Sequence, residues 1–212
     1  MKATVLFFSG FLFVTGTLYS AWLDPYKPSK ILQVKKVDNH LWKKWLRKYV
    51  TKTGWVKYSA GKKDISLVKA YTKQLRSINV NGLKNRNEKL AFYINLYNSM
   101  TVLGVYQYAH INSVMSRKGF FKANFYLVKK KISLDVLENK IIRPKFREPL
   151  VHFALNCASY SCPPLRNEPY EGYKLYRQLK EQAKKYMSNP KFVKIDDKEK
   201  TLYLIELFKW YK

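Results

Sequence analysis

The sequence is short of cysteine, histidine and acidic residues. In 212 positions it has two cysteines, three histidines and 14 Asp or Glu residues. Two cysteines allow one intramolecular disulfide, and no second cluster of ligand residues accompanies them, so we predict neither a metal nor a cofactor. The chain also lacks internal repeats and low-complexity segments, which leaves one globular domain with a sizeable core.

The scarcity of acids makes the chain strongly basic. Its 41 Lys and Arg residues give a formal net charge of +27, which draws a protein to anionic surfaces. Only eight of these residues are Arg, the side chain that binds phosphate through a planar fork. We therefore predict no nucleic-acid partner. A lysine excess spread along the whole chain favours a general lysine bias, and an anionic membrane surface or an envelope polymer is the expected counterpart if the charge has one.

Residues 3–23 carry no charged side chain and follow Lys2. This pattern predicts a signal peptide over residues 1–20, with cleavage after Ser20, and hence export to the periplasm or medium. The alternative is an uncleaved anchor in the inner membrane formed by residues 3–23. Residues 21–38 then form a basic arm with Pro25 and Pro28, expected to be extended or loosely ordered. Residues 39–212 form the domain.

The hydrophobic pattern of this domain predicts an α+β class, with a central buried helix packed on a small mixed or antiparallel sheet. The central helix is expected from Leu90 to about Tyr108, after an Asn85–Glu88 capping box. Further helices are predicted over residues 39–50, 66–78, 134–142 and 173–187. The helix over 39–50 has an apolar stripe that includes Trp42 and Trp45. This stripe favours packing of the helix on the core over binding to a membrane surface.

Strands are predicted where apolar runs are short. They are expected over residues 124–128, 131–132, 150–157, 192–195 and 201–205. Arg143 and Pro144 are expected to close the helix over 134–142, and Ser133 to cap it. On the helix over 173–187, the apolar residues Leu175, Tyr176, Leu179, Ala183 and Tyr186 are expected to face inward.

Residues 152–166 gather the side chains that are capable of chemistry. The segment reads HFALNCASYSCPPLR and holds both cysteines, His152 and Asn156. In a strand, His152 and Asn156 share one face and Cys157 points to the other, so Cys162 is freer to approach His152. Cys157 and Cys162 form either a disulfide or two free thiols, one of which would be a nucleophile.

Two amides on the central helix belong with this segment. Asn95 and Asn98 lie three residues apart and so share one helix face. They either tie down a neighbouring loop or orient His152 and a substrate in a cleft. Glu138 is a candidate acid for orienting His152, but with Arg143 nearby an ordinary ion pair is the commoner arrangement.

Several blocks together resemble the domain-of-unknown-function 547 family. They are AFYINLYN at 91–98, SLDVLE at 133–138, IRPKF at 142–146, residues 152–166 and LFKWY at 207–211. The resemblance runs from about Trp42 to the end of the chain. It implies little about mechanism, because the role of the family is not established. Asn139 stands where relatives often carry a His after the Glu.

Two hypotheses follow for function. The first is a non-catalytic envelope module, in which the polar residues are structural and the cysteines form a staple. The second is a cysteine/histidine hydrolase- or transferase-like enzyme using His152 as base, Cys162 as nucleophile and Asn95, Asn98 and Asn156 as orienting amides. A loose papain- or transglutaminase-like analogy supports the second, although no Cys opens the central helix.

Overall fold

The computed structural model describes residues 22–108, 119–159, 162–196 and 198–204. The predicted signal peptide lies outside these ranges. The α-helical segments are α1 (His40–Tyr49), α2 (Tyr58–Gly61), α3 (Ile65–Ser77), α4 (Arg86–Gln107), α5 (Leu134–Val136), α6 (Arg143–Phe146) and α7 (Leu175–Met187). The strands are β1 (Trp22–Asp24), β2 (Asn124–Leu127), β3 (Lys130–Ser133), β4 (Val193–Asp196) and β5 (Thr201–Leu204).

Helix α4 is the centre of the fold, as its all-round apolar pattern predicts. The Asn85 side chain accepts a hydrogen bond of 2.9 Å from the Glu88 N–H, which satisfies one of the first free donors of the helix. All residues from 90 to 104 are buried. Gly104 allows β1 to approach closely, because a Cβ at that position would lie 2.6 Å from Leu23 Cδ1.

Helices α1 and α3 cover α4 with aromatic side chains. The Trp42 ring stacks on Trp45 and Tyr71, with centroids 5.5 and 5.9 Å away, and all three side chains are buried. The apolar stripe of α1 therefore packs on the core, as expected. Among the described helices, none is long and apolar enough to cross a membrane.

The sheet is mixed and small. Strand β2 lies between β1, which is parallel to it, and β3, which is antiparallel. The fold class is thus the predicted α+β domain. The N-terminal arm has little regular structure after β1 but is held in place, since the Leu32 N–H and C=O hydrogen-bond to Ser77 and Asn79 at 2.8 and 2.9 Å.

The predicted strand over residues 150–157 is wrong. Residues Pro149–Phe153 form a 3-10 helix, and an irregular segment follows it. Pro149 cannot donate to a sheet and fixes a φ that suits the start of a helix. The Glu148 carboxylate caps this helix by accepting a 3.1 Å hydrogen bond from the Leu150 N–H. The prediction that His152 and Asn156 share one face of a strand, with Cys157 on the other face, is therefore wrong as well.

The helix over 134–142 does not end at Arg143 and Pro144 as predicted. Ser133 caps α5, and the chain then runs through a π-helical stretch (Leu137–Ile142) into α6, whose second residue is Pro144. A proline is tolerated in the first turn of a helical segment because its missing N–H is not needed there.

Helix α7 and the β4–β5 hairpin form where the sequence predicts them, α7 after a single 3-10 turn (Gly172–Lys174). One inward residue was misassigned: Tyr176 is 55% exposed, while Gln178 and Gln182 are buried. The reason lies in what these glutamines contact, which is the irregular segment that follows the 3-10 helix.

Candidate functional site

The irregular segment over residues 154–171 is fixed by side-chain amides that bind its backbone. Asn98 on α4 donates from Nδ2 to the Ala154 C=O at 2.9 Å and accepts at Oδ1 from the Asn156 N–H at 2.9 Å. Both hydrogen bonds are buried, where an unpaired peptide group is costly. The amide of Asn98 thus acts as a substitute for a neighbouring strand.

Asn95 does the same one helical turn earlier on the same face of α4. Its Nδ2 donates to the Tyr170 C=O at 2.8 Å, and its Oδ1 accepts from the Tyr170 N–H at 3.0 Å. Asn95 and Asn98 therefore hold the two ends of the segment, as the loop-anchoring interpretation predicts. These hydrogen bonds engage both polar ends of each amide.

Asn156 and the cysteines shape the tip of the segment. Asn156 donates from Nδ2 to the Pro163 C=O at 2.7 Å and accepts at Oδ1 from the Ala158 N–H at 3.1 Å. Cys157 and Cys162 are joined by a disulfide, with Cα atoms 5.8 Å apart, which is an ordinary separation. Ala158 has a φ of 55°, a left-handed conformation that this cross-linked turn imposes.

Helix α7 completes these contacts with residues that sequence reasoning missed. Gln178 donates to the Pro169 C=O at 2.8 Å and accepts from the Glu171 N–H at 2.9 Å. Gln182 donates to the Pro164 C=O. A sequence signal for these glutamines did exist, because Gln178 and Gln182 lie four residues apart and beside the apolar stripe of α7. It was missed because the inward face of an amphipathic helix is identified from its apolar residues alone.

A charged network ties the same segment to the surface of α7. Arg166 Nη2 lies 2.6 Å from both Glu168 Oε1 and Glu181 Oε2, and Lys174 Nζ lies 3.0 Å from Glu168 Oε2. Burial alone would raise the pKa of Glu168. Hydrogen bonds from Gln178, Arg166 and Lys174 outweigh it and lower that pKa to about 2.

A groove of about 450 Å³ opens beside the disulfide. Its walls come from the turn before α2, the tip of the irregular segment and the turn after α7; they include Thr53, Trp55, Asn156, Cys162, Pro164 and Lys191. Trp55 is 56% exposed, and Lys191 Nζ lies 5.7 Å from the centroid of its ring. Among the residues that the structure describes, no acidic side chain lines the groove. Its volume suits a small ligand or one portion of a polymer.

His152 belongs to a different hollow. That hollow is lined by Asn139, Arg143, Arg147 and Glu148 together with His152, and it shares no lining residue with the groove. Burial, with a smaller effect from the positive charge of Arg143, lowers the pKa of His152 to about 4. The imidazole is therefore neutral at pH 7.

The candidate residues thus fall into separate groups. Asn95, Asn98 and Asn156 act together on one segment, and Cys162 with Asn156 reaches the groove. Neither His152 nor Glu138 lines it, Glu138 lying on the π-helical stretch. Within the described part of the chain, no three His, Cys, Asp or Glu residues are grouped so that they would hold a metal ion.

Comparison with known proteins identifies a family but no relative of known role. A family model described as "Protein of unknown function, DUF547" matches residues 80–187, from the turn before α4 to the last residue of α7. No curated protein and no solved structure matches the chain significantly. Trp55 and Lys191 lie outside the matched residues, so the groove joins a segment within them to walls from outside.

Proposed function

This chain belongs to the DUF547 family, and from that premise we propose that it is a non-catalytic module of the cell envelope that binds an anionic ligand in the groove beside Trp55. The observation that carries the proposal is that the asparagine amides and the thiols, which could take part in catalysis, are already bonded within the protein. The amides of Asn95, Asn98 and Asn156 are engaged at both ends by backbone groups, and both cysteines are bonded to each other.

The charge of the groove supports an anionic ligand. Of the described residues that line it, Lys191 alone is charged, and Lys185 donates a hydrogen bond to the Lys52 C=O next to Thr53. A cationic concave surface with low-dielectric walls concentrates anions from solution. The net charge of +27 acts in the same direction over longer distances.

Two features support an envelope location. The uncharged stretch over residues 3–23 after Lys2 is typical of an export signal. The disulfide between Cys157 and Cys162 is of a kind that persists in oxidising compartments and is rare in the cytosol.

The proposal is tested with two fluorescein-labelled probes, trigalacturonate and hexaglutamate, by fluorescence anisotropy at about 0.15 M NaCl. We expect the full chain to bind at least one probe, and a Trp55→Ala/Lys191→Gln variant to bind it more weakly. Mass spectrometry of the recovered probe should show it unchanged. The matched control is Tyr176→Ala/Lys180→Gln, which removes an exposed ring and a lysine 4.5 Å from its centroid on α7.

Two results would contradict the proposal. Equal loss of binding in the control pair would mean that overall charge, and not the groove, attracts the probes. Cleavage or transfer of a probe would mean that the protein is an enzyme.

The alternative is the cysteine/histidine enzyme, which needs a reduced Cys162 beside His152. The disulfide and the separation of His152 from the groove count against it. Alkylation of unreduced protein, followed by mass spectrometry, decides the state of the thiols. Uptake of the reagent by both cysteines before reduction would favour the enzyme.

A further inference from the structure

We infer that the ligand of the groove is an acidic carbohydrate, with a sugar ring stacked on Trp55 and its carboxylate paired with Lys191. This inference rests on the proposed function and specifies its ligand class. It begins from Trp55, a large apolar side chain that is more than half exposed at the edge of a concave surface. Exposed aromatic residues in such positions are common in binding sites.

The Trp55 backbone is held rigidly although its ring is exposed. The Trp55 N–H donates to Thr51 Oγ1 at 3.0 Å, and the Trp55 C=O accepts from the Thr51 N–H at 2.9 Å. Gly54, at a φ of 94°, packs so tightly on the irregular segment that a Cβ there would lie 2.3 Å from Pro164 Cβ. The indole is therefore carried by a turn that is fixed before a ligand arrives, which lowers the entropic cost of binding.

An indole face has a negative quadrupole and attracts groups of partial positive charge. The C–H bonds on one face of a pyranose ring provide such groups over an area like that of the indole. Lys191 already rests against this ring, so a carboxylate on a stacked sugar comes within reach of its ammonium group. The flexible four-carbon stem of lysine allows the ammonium to move from the ring to the carboxylate.

The stretch of chain that carries Trp55 is rich in positive charge. Residues 39–63 contain eight Lys or Arg residues and no Asp or Glu, and they include α1 and the Trp55 turn; Lys48 in this stretch pairs with Asp64, which follows it. This stretch extends the cationic surface beyond the groove, as a polymer with repeated carboxylates requires. A groove also fits a chain of rings better than it fits a bilayer, which binds protruding apolar faces.

The experiment compares three probes on the full chain: labelled trigalacturonate, which has rings and carboxylates; maltotriose, which has rings alone; and hexaglutamate, which has carboxylates alone. We expect trigalacturonate to bind tightest. Trp55→Ala should weaken its binding about tenfold, the effect of one aromatic stacking contact. Tyr173→Ala is the matched control, because this ring is 71% exposed and lies within 6 Å of two lysines away from the groove; we expect a change below about twofold.

The outcomes separate the inference from the proposed function. If hexaglutamate binds as tightly as trigalacturonate and also depends on Trp55, the groove takes acidic peptides; the inference is then wrong and the proposed function stands. If neither probe depends on Trp55, both fail.

Lys191→Gln tests the second contact. It should weaken trigalacturonate while leaving maltotriose unchanged, and it should reduce the salt dependence of trigalacturonate binding. An equal loss for both probes would mean that Lys191 only supports the shape of the groove, which contradicts the proposed carboxylate pair.

Discussion

Val128 occupies an unfavourable backbone conformation in the tight turn between β2 and β3. Its φ of 56° lies in the left-handed region, which a β-branched residue rarely adopts. The position is the first of a two-residue connection, since Leu127 pairs with Lys130. The Val128 N–H donates to the Arg76 C=O at 2.6 Å, so the turn is also anchored to the end of α3. This anchor maintains a conformation that the side chain opposes.

We expect Val128→Gly to raise the free energy of unfolding by about 1 kcal/mol, because glycine adopts a positive φ without strain and the anchoring N–H remains. Urea denaturation measures the change. The control is Lys129→Gly at the next position, which has no positive φ and should lose stability. A loss in Val128→Gly equal to that of the control would show that the turn is unstrained.

His152 makes stability depend on pH. Its folded pKa of about 4 lies below the ordinary value of 6.5 because of burial and Arg143. The unfolded chain therefore takes up a proton at this residue before the folded protein does, and stability falls as the pH drops from about 6.5 towards 4. Arg147 and Glu148 line the same hollow.

We expect His152→Gln to flatten this part of the pH profile, measured as the urea midpoint at several values between pH 7 and pH 4.5. Glu168 affects stability in a lower pH range than His152. Its lowered pKa stabilises the folded state, and this stabilisation is lost below about pH 4.5, as the carboxylate becomes protonated. A His40→Gln chain, which removes a histidine outside this hollow, is the control for the substitution itself. If the urea midpoint of His152→Gln fell with pH as steeply as that of the original chain, other groups would be responsible for the pH dependence of stability.

At the scale of elements, α4 serves as both the core and the anchor of the irregular segment. We expect Asn98→Leu to lower the free energy of unfolding by about 1–3 kcal/mol although it adds apolar surface, because the Ala154 C=O and the Asn156 N–H lose their buried partner. Asn87→Leu, at an exposed position on the same helix, should change stability by less than about 0.5 kcal/mol. Equal urea midpoints for the two variants would show that Asn98 does not hold the segment.

Helices with strong patterns were predictable from the sequence. Helices α1, α3 and α7 begin and end within two residues of their predicted positions, because caps and apolar periodicity are local properties. Helix α4 ends within one residue of its predicted end but begins at Arg86, four residues before the predicted Leu90 and directly after its Asn85 cap. The segment over 150–157 was not predictable in the same way. Its apolar run fits a strand, and only Pro149 with Glu148 indicates a 3-10 turn.

The contacts of the helix amides were predictable in part, and their arrangement was not. Asn95 and Asn98 were predicted either to tie down a neighbouring loop or to line a cleft with His152, and the structure has both amides bound to the backbone of the segment that contains Asn156. Their partners are peptide groups up to 75 positions away, and peptide groups have no sequence signature. The same limit applies to Trp55, whose position at the groove depends on a wall supplied by a distant turn.

The whole molecule carries a charge that opposes its own compact state. A net charge of +27 on 212 residues creates repulsion that salt screens. We expect the urea midpoint to rise between about 0.02 and 0.3 M NaCl, where the screening length falls several-fold.

A chain with Lys69, Lys145 and Lys184, all exposed, changed to Gln is the control for the salt response. It should begin with a higher midpoint and respond less to salt. A midpoint that falls with salt in both chains would mean that attractive ion pairs, such as those of Arg166, outweigh the repulsion.

The amides of α4 and α7 hold peptide groups of the irregular segment, and this has a consequence for how the protein can evolve. A hydrogen bond to a backbone C=O or N–H does not depend on which side chain the bonded residue carries. Substitution of Ser159 at the tip therefore changes the wall of the groove and leaves the amide anchors in place. Asn156, Cys157 and Cys162 are exceptions, because their side chains shape the tip. Descendants of one ancestral chain can thus vary this wall while inheriting the same scaffold, and a laboratory library that varies Ser159 and keeps these three residues should yield folded proteins at high frequency.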